Sequence, residues 1–107
     1  MKIETNRIED MSFIKIKGRL DTLTAPQLED ALKGEPDETV KIIFDFSELE
    51  YISSAGLRVI LTVYKSLKKK GGSCMIRGAC EEVREVFLIT GFSEFIRIEG
   101  EKYEENF

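Results

Sequence analysis

Histidine is absent from the 107 residues of this chain, and its absence removes several classes of chemistry. No Ser-His or Cys-His nucleophile pair can form, and metal sites that use imidazole are excluded. Neither the GxxxxGK[ST] phosphate loop nor the GxGxxG dinucleotide turn occurs in the sequence. The carboxylates, lysines and tyrosines that remain show no recognisable catalytic spacing. We therefore predict a protein that is not an enzyme and that holds no cofactor and no metal ion.

An excess of positive charge is also missing, since the formal net charge is −4. Binding to a nucleic-acid backbone needs a concentrated basic face. The one basic cluster is Lys65, Lys68, Lys69 and Lys70, which falls in the last turns of a predicted helix. Cations in that position complement the negative end of the helix dipole. We therefore expect no direct contact with nucleic acid.

Long hydrophobic runs are lacking too. None approaches the roughly 18 residues that a membrane-spanning helix needs, and residues 1–4 lead into a strand pattern without a signal-peptide core. We expect a cytoplasmic protein that contacts no membrane. The two cysteines, Cys74 and Cys80, match neither a CxxC redox pair nor a zinc knuckle. We interpret both as structural, with Cys74 buried in a strand.

Apolar residues make up 42% of the chain and recur in short strand patterns that alternate with amphipathic helix patterns. The order β-β-α-β-α-β-α-β requires parallel pairing after an opening hairpin, because each helix serves as a crossover. We predict one α/β domain with a mixed, mostly parallel sheet of four to five strands and three to four helices. The predicted strands are 2–8, 11–17, 39–46, 73–78 and 95–98, and the helices are 24–34, 54–70 and 81–90, with a loop at 47–52 and an acidic tail at 101–107 that is either a helical stub or frayed.

The first helix has a legible start. Thr24 and Gln27 fit a T-x-x-Q capping box, in which both side chains bond to free backbone N–H groups. Leu23 and Leu28 flank the box at the spacing of a hydrophobic staple. Pro26 falls in the first turn, where its missing N–H costs nothing. The sequence therefore predicts a helix capped by Thr24.

The second helix has a different start. With Ser53 as the N-cap, Ile52 and Leu57 take the positions of a hydrophobic staple. Ser54 then falls at the first helical position, where its hydroxyl has no capping duty. Gly56 is a poor helix former, costing up to about 1 kcal/mol relative to Ala. Two interpretations of Gly56 stay open: it fits against a neighbouring strand, or it belongs to a surface that a partner approaches closely.

Two stretches of this sequence resemble a known family. Residues 45–47 (DFS) followed by 51–61 (YISSAGLRVIL) are similar to the signature of the STAS domains of bacterial anti-sigma factor antagonists. Residues 18–21 (GRLD), between the second strand and the first helix, resemble the G-x-L-D turn of the same family. The order of elements agrees over essentially the whole chain, so the resemblance implies a single STAS domain over residues 1–107.

The resemblance implies a function. Members of this family bind an anti-sigma factor that is also a serine kinase, and this binding releases a sigma factor. Phosphorylation of one serine at the start of the second helix ends the binding, and a PP2C-type phosphatase restores it. By position the phosphoacceptor is Ser54. Ser53 stands where many relatives have Asp, which leaves two adjacent hydroxyls and makes Ser53 the alternative acceptor.

The resemblance also implies a partner-binding surface, for which simpler interpretations stay open. Asp21 and Thr22 fit ordinary turn chemistry, and Arg58 fits a solvated helix residue. An alternative function is a ligand-sensing or scaffold module that binds a nucleotide or another small molecule. A third is a small hydrolase with an activated serine, which the missing histidine disfavours. The expected partner-binding residues are Asp21, Thr22, Thr24, Ser53, Ser54, Gly56, Leu57 and Arg58.

Overall fold

A computed structural model describes residues 1–99, which form strands and α-helices in the predicted order. The strands are β1 (Lys2–Ile8), β2 (Met11–Leu20), β3 (Lys41–Ile52), β4 (Ser73–Arg77) and β5 (Arg97–Glu99); the helices are α1 (Ala25–Lys33), α2 (Ser54–Lys69) and α3 (Glu81–Ile89), and a short 3-10 helix, Phe92–Glu94, precedes β5. The predicted acidic tail, 101–107, lies outside the described residues.

The strands form one mixed sheet in the order β1-β2-β3-β4-β5. The hairpin strands β1 and β2 pair antiparallel, whereas β2–β3, β3–β4 and β4–β5 pair in parallel. Parallel pairing follows from the connections, because each of those pairs is joined through a helix on the sheet. The predicted fold class, a mixed and mostly parallel α/β sheet, is confirmed.

The core lies between one face of the sheet and the three helices. Ile14, Phe44 and Ile76 are cross-strand neighbours on that face, and each is at most 1% exposed. Phe46 continues the row, and its ring lies 6.3 Å from the ring of Phe87 on α3. The opposite face carries charged pairs, among which the Lys15 ammonium lies 2.9 Å from a Glu48 carboxylate oxygen. Among residues 1–99, no helix is long and apolar enough to cross a membrane.

Three predicted boundaries are wrong, and the first two of them position the site. Residues 47–52 were predicted as a loop, but β3 runs to Ile52, and β2 runs past residue 17 to Leu20. The extensions pair with each other in parallel, with two register shifts. These irregularities break the period-2 pattern that would have signalled a strand. The last strand begins at Arg97 and not at residue 95, because the N–H groups of Phe95 and Ile96 donate to the carbonyl of Phe92, in the 3-10 helix.

Candidate functional site

The two segments that resemble the family signature meet at the carboxyl-terminal edge of β2 and β3. Leu20 and Ile52, the last residues of these parallel strands, are cross-strand neighbours. The N–H of Ser53 donates to the carbonyl of Leu20 at 2.9 Å. Asp21 and Ser53 therefore leave the sheet side by side, so the turn before α1 and the start of α2 share one edge of the molecule.

The predicted N-cap of α2 is confirmed. Ser53 has an extended backbone (φ −102°, ψ 175°), and its Oγ accepts a hydrogen bond from the N–H of Gly56 at 3.4 Å. The Ser53 carbonyl accepts the first helical bond, from the N–H of Leu57 at 3.0 Å. The side-chain bond is long for an N–H···O contact, which places this cap at the weaker end of its class.

Ser54 is exposed at the first position of α2. Within residues 1–99 its hydroxyl has no hydrogen-bond partner, and the backbone N–H groups of Ser54 and Ala55 have none either. The first turn of α2 holds no acidic residue that would compensate the positive end of the helix dipole. This combination leaves a free hydroxyl beside unused donors, which is an environment that accepts an anion.

Gly56 and Leu57 belong to the core, which corrects the prediction that both lie on the partner-binding surface. Leu57 is 6% exposed and packs in the core cluster. A Cβ added at Gly56 would lie 2.7 Å from Cγ of Leu20 and 3.0 Å from Cγ1 of Ile52. The start of α2 crosses so close over the ends of β2 and β3 that a side chain does not fit. The open interpretation that Gly56 fits against a neighbouring strand is the one the packing supports.

The turn between β2 and α1 is closed by its own side chains. Oδ1 of Asp21 accepts from the N–H groups of Leu23 at 3.0 Å and Thr24 at 3.1 Å. In return, Oγ1 of Thr24 accepts from the N–H of Asp21 at 2.8 Å and donates to the carbonyl of Arg19 at 2.8 Å. Asp21 and Thr24 thus make the ordinary turn chemistry that stood as the alternative to partner contact for Asp21.

The predicted capping box and staple of α1 are therefore wrong. Thr24 is the N-cap residue, but its hydroxyl makes no bond to the helix, and Nε2 of Gln27 donates to the carbonyl of Met1 at 3.2 Å instead. Leu23 is 90% exposed while Leu28 is fully buried, so the two do not form a staple. The Thr24 hydroxyl bonds to the backbone of Asp21 and Arg19 in the turn, so it is not available to cap the helix. The exposed Leu23 was missed, although an Asp three residues before the Thr signals the competing turn.

The charge at this edge is fixed by the same bonds. The backbone N–H of Thr24, with its hydroxyl and the N–H of Leu23, holds the pKa of Asp21 below its ordinary value, and the Arg19 guanidinium acts in the same direction. Asp21 is thus ionised at neutral pH. The Arg19 guanidinium also lies 4.2 Å from the ring centre of Tyr51, a cation–π contact on the end of β3.

Two further predicted residues, Thr22 and Arg58, line one shallow groove between α1 and α2. Both are exposed, and the groove has a volume of about 220 Å³. Ala55 and Val59 supply apolar lining from α2. The structure therefore brings the turn before α1 and the first two turns of α2 into one continuous surface.

The cysteines lie apart from this surface. Cys74 is buried in β4, as predicted, and its burial raises the pKa of the thiol to about 12. The thiol of Cys80 faces the carbonyl of Leu49 at 3.7 Å. In the part of the chain that the structure describes, no three His, Cys, Asp or Glu residues come together as metal ligands.

Sequence comparisons identify relatives over nearly the whole chain. The STAS domain family model matches residues 2–104, while the prediction of one domain over 1–107 stays a prediction. BtrV of Bordetella bronchiseptica is 38% identical over 93 residues, which cover 86% of this chain and 80% of the relative. The anti-sigma-B factor antagonist of Listeria monocytogenes is 31% identical over 101 residues, covering 94% and 89%.

Solved structures share the fold. An anti-sigma factor antagonist from Mycobacterium paratuberculosis superposes with a TM-score of 0.82 at 21% identity, covering 96% of this chain and 88% of that one. The anti-sigma factor antagonist SpoIIAA in its unphosphorylated form superposes with a TM-score of 0.72 at 18% identity, covering 98% and 94%. With the family model and the sequence relatives, the conclusion is plain: the chain belongs to the STAS-domain family of anti-sigma factor antagonists.

Proposed function

We propose that this chain is an anti-sigma factor antagonist, a regulatory binding protein without catalytic activity of its own. It binds an anti-sigma factor that has serine kinase activity, and this binding releases a sigma factor. The observation that carries the proposal is the exposed hydroxyl of Ser54, which has no hydrogen-bond partner within residues 1–99 and lies at the start of α2, beside the turn before α1. The names of the relatives support it, since those from Listeria monocytogenes and Bacillus subtilis are both anti-sigma-B factor antagonists.

Phosphorylation of Ser54 is the proposed off-switch. The kinase transfers the γ-phosphoryl group of ATP to Oγ of Ser54, the hydroxyl loses its proton, and ADP leaves. A PP2C-type phosphatase hydrolyses the ester, which returns the serine and inorganic phosphate. A phosphoserine carries about −1.5 to −2 charges at neutral pH. A docked partner would meet that charge and its bulk, and a hundredfold loss in affinity takes only about 2.7 kcal/mol.

The scaffold tolerates the modification. Unused N–H groups and the uncompensated dipole at the start of α2 favour an anion at this position. SpoIIAA has been solved in both the unphosphorylated and the phosphorylated form, and this chain superposes on the two with TM-scores of 0.72 and 0.71. One fold therefore matches both states of that protein. This supports a switch in which the phosphate blocks the docking surface and the chain does not refold.

Ser54 is a better acceptor than Ser53. The Ser53 hydroxyl already accepts from the N–H of Gly56, and Ser53 is only partly exposed. A phosphoryl group on Ser53 would crowd the cap that starts the helix. Ser54 has neither constraint. Ser53 remains the alternative acceptor that the experiment below separates.

The proposed docking surface is narrower than the set of residues predicted from the sequence. Thr22, Ser54 and Arg58 are exposed and offer side chains to a partner. Asp21 and Thr24 hold the turn that presents Thr22. We expect the partner to cover these elements together, because they form one edge.

A phosphorylation assay tests the proposal. The purified chain is incubated with its cognate anti-sigma kinase and ATP, and intact-mass spectrometry counts the phosphates. The wild type and Ser53→Ala should each gain one phosphate, whereas Ser54→Ala should gain none. Labelling of Ser54→Ala but not of Ser53→Ala would move the acceptor to Ser53.

Calorimetry with nucleotides tests the alternative function. The proposed antagonist needs no nucleotide of its own, because the kinase supplies ATP. Titration of ATP or GTP into the purified chain should therefore give no heat of binding. Tight nucleotide binding without any kinase present would instead favour the ligand-sensing module.

A further inference from the structure

Leu23 is the most exposed of the large apolar side chains in residues 1–99. It is 90% exposed at the tip of the turn between β2 and α1, whereas the next, Ile89, is 77% exposed. Single exposed leucines are common on protein surfaces. Its position and the fixed backbone of its turn distinguish this one.

The backbone around Leu23 is held in place. Its own N–H donates to Oδ1 of Asp21 at 3.0 Å, and the adjacent Thr24 is bonded to Asp21 through both its backbone and its hydroxyl. A turn whose backbone is already ordered loses little backbone conformational entropy when a partner covers it. The turn therefore presents Leu23 in advance of binding.

Leu23 also lies where a kinase must approach. It follows Leu20 by three residues, and the carbonyl of Leu20 holds the N–H of Ser53, the neighbour of the proposed acceptor Ser54. The groove lined by Thr22 and Arg58 begins at the residue before it. A protein that reaches the Ser54 hydroxyl covers this edge of the sheet.

We propose that Leu23 is an apolar anchor that inserts into an apolar socket on the anti-sigma factor. This inference rests on the proposed function and adds the chemistry of the partner surface: a nonpolar pocket beside the kinase active site. Aliphatic groups that project from an ordered backbone and fill a pocket are effective interface anchors. The anchor contributes affinity when Ser54 is unphosphorylated, so its role does not depend on the phosphate.

Titration calorimetry with the cognate anti-sigma kinase tests the anchor. Leu23→Ala should weaken binding about tenfold or more, since the buried methyl groups of leucine are lost. The matched control is Ile89→Ala, which removes a similar exposed side chain from the last position of α3. That helix starts after β4 and runs back towards the amino-terminal ends of the parallel strands, away from the start of α2. The control should therefore bind within twofold of the wild type. Both variants should keep the wild-type melting temperature, because both side chains are mostly solvated.

Each other outcome contradicts the inference in a recognisable way. Leu23→Ala binding within twofold of the wild type would remove the anchor while leaving the antagonist function intact. An equal loss in Leu23→Ala and Ile89→Ala would indicate unspecific hydrophobic adhesion. Self-association of the wild type that Leu23→Ala abolishes, seen by sedimentation, would assign the residue to a second copy of the chain. A wild type that binds no anti-sigma kinase would overturn the proposed function and the anchor together.

Discussion

The first two helices begin at the same edge of the sheet, yet they treat their free N–H groups differently. At the start of α1, Ala25 donates to Asp21, Gln27 donates to Thr24, and Pro26 has no N–H. At the start of α2, Gly56 and Leu57 donate to Ser53, while, within the described residues, Ser54 and Ala55 keep theirs unused. One start is chemically closed and the other can still take an anion, although the sequence suggested a capped start for both.

The comparison explains which element carries the switch. Closing every donor makes the turn before α1 rigid, which suits a fixed docking surface. Leaving donors open at α2 costs little, because they face water. A phosphoryl group at Ser54 finds those donors in place, whereas the same group at the start of α1 would find none.

The largest expected effect comes from a negative charge at the start of α2, where the backbone donors are unused. Ser54→Asp should weaken binding to the anti-sigma kinase about a hundredfold, or about 2.7 kcal/mol, with an unchanged melting temperature because the dipole tolerates the charge. The matched control is Ser66→Asp, an exposed serine on the same helix three turns away, which should bind like the wild type. Calorimetry and thermal melts measure both. A large fall in the melting temperature of Ser54→Asp would make the residue structural.

The next effect concerns the close crossing at the start of α2. Gly56→Ala should destabilise the fold by about 1–3 kcal/mol, because the added methyl overlaps Leu20 and Ile52. Gly34→Ala is the control, since its Cβ would meet two carbonyl oxygens at ordinary contact distances, that of Ala31 at 3.4 Å and that of Asp30 at 4.0 Å. Urea unfolding compares the two variants. Equal stability would show that the helix can shift away from the sheet.

A smaller effect separates the two adjacent serines. Ser53→Ala should cost about 0.5–1 kcal/mol through loss of the cap, at the low end because the bond is 3.4 Å long. Ser54→Ala should change the free energy of unfolding by less than about 0.5 kcal/mol. The same urea titrations report both. A reversed order would mean that Ser54, and not Ser53, caps α2.

The smallest effect is a pH dependence of the stability that Asp21 contributes in the turn before α1. Because the folded pKa of Asp21 lies below its ordinary value, its contribution to stability is present above about pH 4 and is lost as pH falls through the folded pKa. Asp21→Asn keeps the acceptor oxygen but removes the charge. The stability difference between wild type and Asp21→Asn should therefore be constant above about pH 5 and shrink below about pH 4. A difference that does not change with pH would contradict the assignment.

Asp21→Asn also separates two roles for this residue in binding. If Asp21 acts only by holding the turn, the variant should bind the anti-sigma kinase like the wild type. If its charge contacts the partner, calorimetry should show a weaker complex although the variant stays folded at the temperature of the titration. This result decides whether the acceptor bonds to Leu23 and Thr24 are the whole of its role.

Prediction from the sequence succeeded where the signal was local and periodic. The element order, the parallel sheet, the Ser53 cap and the first helical position of Ser54 all follow from side-chain patterns and short-range capping rules. It failed where two local motifs competed for one group. The Thr24 hydroxyl suited a capping box and a turn equally well, and the contact with Arg19 in β2 decided for the turn.

The amino-acid sequence by itself determined that the chain is an α/β domain in which the Ser54 hydroxyl, at the start of α2, has no capping duty. That much depends on periodicity and on capping residues, both of which act over a few residues. Only the tertiary structure decided that β2 and β3 end side by side, that Gly56 packs against Leu20 and Ile52, and that Leu23 projects into solvent. These outcomes depend on the register between strands and on close contact between elements distant in the chain, for which local spacing carries no information.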